Sequence, residues 1–259
     1  MYLIDTHSHI YAQEFDIDKE AVMQRCKEKG IQKLFLPNID IDSLPLLDNT
    51  IQQFPDQCYA MLGLHPCSVK EDFEAQLLIL KNKIESKAYP CYGIGEVGLD
   101  FYWDKTFIAQ QIQAFKIQIK WAVEYDLPII IHSRESTQEV IDILKQYAYL
   151  PIKGILHCFS GTYEQAMEII NLGFYIGIGG AITYKKNELR GFLSKIPLQS
   201  IVLETDSPYL SPIPYRGKRN ESSYLTYVAQ EVADLYTIPI QEVAKITTEN
   251  ALKTFTNSY

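Results

Sequence analysis

Short apolar runs alternate along the chain with polar turns and with longer stretches whose apolar residues recur every three or four positions. The runs predict eight strands, at 2–6, 32–37, 58–64, 92–96, 128–132, 153–157, 173–177 and 201–205. Helical periodicity is clearest over 106–126 and 135–147; in the second, Val140, Ile143 and Leu144 share a face behind a Glu-Ser-Thr start. Two further helices, near 221–236 and 239–255, close the chain. The glycine-heavy stretch GFYIGIGG makes the seventh strand the least regular of the eight.

Apolar strands separated by helices imply parallel pairing through right-handed crossovers. Eight such units predict an α/β fold, a closed (β/α)8 TIM barrel. A doubly wound open sheet is the alternative, but no Gly-rich phosphate loop follows the first strand. Neither a linker, a low-complexity tract nor a charge block breaks the rhythm, so 1–259 reads as a single domain.

At 47% hydrophobic and 22% charged, the composition is that of an ordinary globular protein. No apolar run reaches the roughly 18 residues of a membrane span, and Asp5 and His7 come too early for a signal peptide. Cys26, Cys58, Cys67, Cys91 and Cys158 form an odd set without a CxxC pair, which favours reduced thiols and a cytoplasmic location. A net charge of -8 argues against a broad basic face for nucleic acid. It leaves a phosphate substrate open, since a metal and a few arginines can reverse the potential inside a cleft.

All the histidines fall in or just beyond the ends of predicted strands: His7 and His9, His65, His132 and His157. Glu96 ends the fourth strand and Asp206 follows the eighth. In a parallel barrel these ends share the face on which active sites are built. His7 and His9, two apart in extended chain, point to one side. Four imidazoles (His7, His9, His132, His157) and two carboxylates (Glu96, Asp206) exceed the three protein ligands usual for one catalytic zinc. They suit two divalent cations about 3.5–4 Å apart, with Mg²⁺, Mn²⁺ and Zn²⁺ all candidates. His7, His9 and Asp206 would hold one cation and His132 and His157 the other. Glu96 would bridge them, since no lysine lies between 88 and 104 to do so.

At these residues the sequence resembles the TatD family of metal-dependent deoxyribonucleases. The motifs, in order, are LIDTHSH (3–9), GLHP (63–66), IGEVGLDFY (94–102), IIHSRE (130–135), HCFSG (157–161), LETDSPYL (203–210) and RGKRNE (216–221). The resemblance implies a TIM-barrel, metal-dependent hydrolase that cleaves phosphodiester bonds in DNA. Tyr11 stands where the family commonly has Asp or Asn, and Ser222 where it commonly has Pro.

The expected chemistry is hydrolysis by a hydroxide held on two cations, with Glu96 and Asp206 catalytic and Asp206 orienting or deprotonating the water. His65 is assigned to the scissile phosphate. Arg134, Arg216, Lys218 and Asn220, together with Arg219, are candidate contacts to a DNA backbone. Tyr102 and Trp103 could stack on bases or simply pack at the rim. Without a long basic groove, short or single-stranded ends are the better DNA substrate, and no membrane partner is expected. Two rivals stand beside this: a binuclear amidohydrolase or esterase acting on a small molecule or an aminoacyl-tRNA, and a non-catalytic metal-binding barrel.

Overall fold

In a computed structural model describing residues 1–255, the apolar runs form β1 (Leu3–Asp5), β2 (Ile31–Pro37), β3 (Cys58–Met61), β4 (Ile94–Asp100), β5 (Ile129–Arg134), β6 (Gly154–Leu156), β7 (Tyr175–Ile178) and β8 (Ile201–Leu203). Helices α1 (Lys19–Lys29), α2 (Leu44–Gln53), α3 (Phe73–Ser86), α4 (Ile108–Glu124), α5 (Thr137–Gln146), α6 (Tyr163–Asn171), α7 (Leu225–Tyr236) and α8 (Ile240–Phe255) connect or follow them. Every ladder is parallel, in the orders β1-β2-β3 and β4-β5-β6-β7-β8.

Two seams close the ring. Between β3 and β4, Leu62 N–H donates to Gly93 O and Gly95 N–H to Leu62 O. Between β8 and β1, Thr6 N–H donates to Leu203 O and Asp206 N–H to His7 O. The predicted eight-stranded barrel is therefore the observed architecture.

Apolar residues from six strands, Ile4, Phe35, Met61, Ile130, Ile155 and Val202, form one buried cluster. Each lies a few residues before a predicted site residue or strand end, so this layer underlies the mouth that carries the histidines. Burying such a side chain contributes about 1.5–3 kcal/mol. Phe255 of α8 joins the cluster by stacking on Phe35, ring centroids 3.6 Å apart. A second, larger cluster seals the strands against the helices, with Val140, Ile143 and Leu144 of α5 in it as the periodicity predicts.

Several predicted boundaries move, among them the end of β3 at Met61 instead of 64, and two of the shifts bear on the site. β4 runs on to Asp100, so Glu96 sits inside the strand instead of ending it. α7 begins at Leu225, because Ser222–Tyr224 form a single 3-10 turn with the Ser222 hydroxyl donating to Ser8 Oγ at 3.0 Å. All five cysteines are free. Among the described residues no helix is long and apolar enough to cross a membrane.

Candidate active site

Glu96 is the hub of the barrel mouth. Its side chain is 4% exposed, and its two oxygens face different imidazoles. Oε2 lies 3.1 Å from His7 Nε2 and 3.5 Å from His9 Nε2. Oε1 lies 2.9 Å from His132 Nδ1, 3.1 Å from His157 Nε2 and 3.4 Å from His65 Nε2. Asp206 Oδ1 completes the first group, 3.8 Å from His7 Nε2 and 3.5 Å from His9 Nε2. Residues separated by nearly 200 positions thus meet at one point because parallel strands put their C-terminal ends on one face.

Electrostatics follow from this packing. Burial alone would raise the Glu96 pKa, but the charges of His7, His157 and His65 and the His132 hydrogen bond hold it well below the usual carboxylate range. Asp206 is likewise lowered against burial, by the His9 hydrogen bond and the charges of His157 and His7. Burial also opposes protonation of His157 and His132. The Glu96 and Glu204 charges nonetheless raise His157 well above its ordinary value. Hydrogen bonds that the ring donates to Asp100 and Glu96 raise His132. In His7 and His65 burial wins and the pKa falls.

The outward nitrogens explain how the rings are aimed. His132 Nε2 meets Asp100 Oδ2 at 2.9 Å, leaving Nδ1 toward Glu96. His157 Nδ1 lies 3.3 Å from Glu204 Oε1, an ion-pair contact without hydrogen-bond alignment. The Glu204 carboxylate is fully buried, and it fits because residue 177 is glycine: a Cβ there would come within 2.3 Å of Glu204 Oε2. Gly98 likewise holds a positive φ of 137° where a Cβ would strike His132 O at 2.1 Å. His9 Nδ1 is 2.9 Å from the Tyr11 hydroxyl, which itself donates to Pro37 O at 2.6 Å. That phenol oxygen must therefore accept from His9 Nδ1–H, and the His9 Nε2 lone pair is left facing Glu96 and Asp206.

This donor set fits divalent cations. His7 Nε2 and His9 Nε2 lie 3.2 Å apart beside a carboxylate oxygen, an arrangement suited to two lone pairs sharing an ion. His7, His9 and Glu96 converge closely enough for one ion; so do His7, His157 and Asp206. The imidazoles backed by carboxylates have the outer partners typical of metal-binding histidines. His65, Glu96 and His132 also converge, but the His65 tautomer speaks against ligation by that ring. Cys67 N–H donates to His65 Nδ1 at 3.1 Å, so the neutral ring carries its proton on Nε2, the atom facing the centre. His65 is thus built as a donor.

The structure divides the remaining candidate residues. Arg134 is exposed on the rim, its guanidinium 3.8 Å over the Tyr102 ring. Arg216 and Lys218 are also exposed, and Arg216 lies 4.5 Å over Tyr184. Asn220 has a different position from the one expected of a DNA contact. It is fully buried, with Nδ2 donating to Thr205 O and Tyr209 O and Oδ1 accepting from Glu221 N–H. Every polar atom of its amide is engaged in holding the loop after β8, which leaves none for substrate. Arg219 is similarly committed, forked onto Asp18 at 2.7 and 2.8 Å.

Sequence reasoning passed over Asp5, Asp100 and Glu204. Asp5 accepts from Thr205 N–H, Thr205 Oγ1 and His7 N–H, tying β1 to the turn after β8; burial pushes its pKa up to about 7. Asp100 and Glu204 lay within the quoted motifs GLDFY and LETDSP, so an acidic residue four from Glu96 and another two before Asp206 were visible signals.

Comparison with known proteins agrees with the geometry. A family model described as TatD related DNase matches residues 4–256. An uncharacterised metal-dependent hydrolase of Bacillus subtilis, YabD, is 38% identical over 254 residues, covering 98% of each chain. The crystal structure of YjjV, a TatD homologue from Escherichia coli, superposes with a TM-score of 0.92 at 31% identity, covering 98% of both chains.

Proposed function

Since the chain belongs to the TatD family of metal-dependent hydrolases, we propose that it is a deoxyribonuclease acting on short or single-stranded DNA ends, with two divalent cations flanking Glu96. The observation that carries this reading is the division of the Glu96 carboxylate, with Oε2 toward His7 and His9 and Oε1 toward His132 and His157. A single buried carboxylate that faces two imidazole pairs suits a shared ligand. Cations bound there would polarise phosphate oxygens and make a water acidic enough to attack near neutral pH.

The chain's own residues supply the rest. Asp206 has the more open carboxylate of the two, 15% exposed against 4% for Glu96, and its lowered pKa keeps it ionised. It is the group that accepts the proton of the attacking water. His65, neutral through burial and protonated on Nε2, donates to a non-bridging phosphate oxygen. Asp100, Glu204 and Tyr11 hold the His132, His157 and His9 rings at fixed angles. Arg134 offers a fork for a neighbouring phosphate.

The test is degradation of end-labelled single-stranded oligonucleotide by chelator-treated protein, with Mg²⁺, Mn²⁺ or Zn²⁺ restored. Cleavage should return with metal and vanish in Glu96→Ala. Binding of metal without cleavage, alongside hydrolysis of esters or amides, would replace the nuclease by an amidohydrolase or esterase.

A further inference from the structure

Two large aromatic rings stand in water beside this polar centre: Tyr102 is 48% exposed and Trp103 68%. They are not loosely placed. Asp100 Oδ1 accepts both Tyr102 N–H at 2.9 Å and Trp103 N–H at 3.0 Å, while Oδ2 of the same carboxylate takes His132 Nε2. One buried side chain therefore fixes an imidazole of the centre and the backbone of both rings. The rings meet edge to face, 85° apart with centroids at 4.9 Å, which leaves aromatic surface uncovered. Arg134 extends from the end of β5 over both, 3.8 Å from the Tyr102 centroid and 5.0 Å from that of Trp103. No carboxylate among the described residues forms an ion pair with it, although the chain carries 32 acidic residues.

We propose that Trp103, Tyr102 and Arg134 form a stacking site for one unpaired base of the strand whose phosphodiester lies at Glu96. The proposal rests on the nuclease reading and narrows it. A base offers a flat π face to the indole, and the adjacent phosphate is an anion that the unpaired guanidinium can meet without leaving the aromatic rings. A base inside a duplex has both faces covered by its neighbours. The site therefore selects single-stranded ends by what they expose, and it reads no particular base, since every base has such a face.

Trp103 reports its own occupancy, because the other tryptophan, Trp121, is 5% exposed within α4. Mg²⁺-loaded full-length protein is titrated with a short phosphorothioate single strand that resists hydrolysis, and then with the same backbone carrying abasic tetrahydrofuran residues. The base-bearing strand should quench tryptophan emission and bind about 5–150-fold more tightly than the abasic one, the range expected for one stacked base. Trp103→Ala should bind both strands with equal affinity, and Trp103→Phe should keep most of the preference. Equal affinity of the unaltered protein for the two strands, or an undiminished preference in Trp103→Ala, would overturn the proposal. Cleavage of an ordinary strand separates the two readings. Cleavage without any effect of Trp103→Ala on KM removes the stacking site alone. A Trp103-dependent base preference without cleavage keeps the stacking site and removes the nuclease.

Discussion

Removing the Tyr11 hydroxyl should loosen metal binding more than a change of one buried oxygen suggests. Tyr11 is 2% exposed, and burial together with the Glu96 charge raises its pKa well above the ordinary value, so the phenol stays protonated. Its proton goes to Pro37 O at 2.6 Å and its oxygen takes His9 Nδ1–H at 2.9 Å. Tyr11→Phe fills the same space but leaves one carbonyl and one ring N–H buried without partners. At about 1–3 kcal/mol for each orphaned group, the loss of stability is about 2–6 kcal/mol. His9 can then carry its proton on either nitrogen, and the tautomer protonated at Nε2 has no lone pair toward Glu96. Loss of such an outer partner typically weakens metal affinity 10–100-fold, about 1.4–2.7 kcal/mol. Urea unfolding of chelator-treated protein reads the first quantity, and Mn²⁺ titration against a chromophoric chelator reads the second. Unchanged Mn²⁺ affinity in a destabilised Tyr11→Phe protein would refute the tautomer argument and reduce Tyr11 to a packing residue.

Other consequences follow from the same contacts. Asp100→Asn keeps the oxygen that accepts from Tyr102 and Trp103 but turns an amide N–H toward His132 Nε2, forcing the ring proton onto Nδ1. Hydrolysis should fall about 10–100-fold, with thermal unfolding little changed; full activity would show that Asp100 does not set this tautomer. Gly177→Ala drives a Cβ against Glu204 and should cost about 1–3 kcal/mol in denaturant unfolding, and an unaltered midpoint would mean that Glu204 moves aside freely. The raised pKa values of His132 and His157 stabilise the metal-free protein most below the ordinary histidine value, and that contribution fades as pH rises through the folded-state values. Cations held by these rings, as proposed, would displace those protons, so their affinity should increase with pH and calorimetric binding heats should vary with the ionisation enthalpy of the buffer; heats independent of buffer would contradict this.

The barrel and the mouth were legible for different reasons. Strands buried on both faces read as near-continuous apolar runs, so all eight stand out in the sequence. Helices α4 and α5 show a clear apolar stripe, whereas α1 buries only Val22, Met23 and Cys26 in a largely charged segment and leaves little periodicity to read. Glu96 was visible as an acidic residue but not as a mid-strand one, because the glycines around it mask the continuation of β4 to Asp100. His7, His9, His132, His157 and Asp206 converge because strand ends in a parallel barrel must. Asn220 was misread for an instructive reason: it sits among Arg216, Lys218 and Arg219 in a loop that looks solvated, yet its amide ties that loop to Thr205 and Tyr209. Composition carries no sign of whether a polar side chain in such a loop turns inward. Tyr11, a mere departure from the family pattern in the sequence, becomes a partner of His9 only when the chain returns to Pro37.

The proposed pair of cations on Glu96 is tested most directly by anomalous diffraction from crystals of the protein grown with Mn²⁺. Two peaks about 3.5–4 Å apart, one on each side of the Glu96 carboxylate, are predicted. A single peak, or two that do not share Glu96, would contradict the bridging role on which the proposed hydrolysis depends.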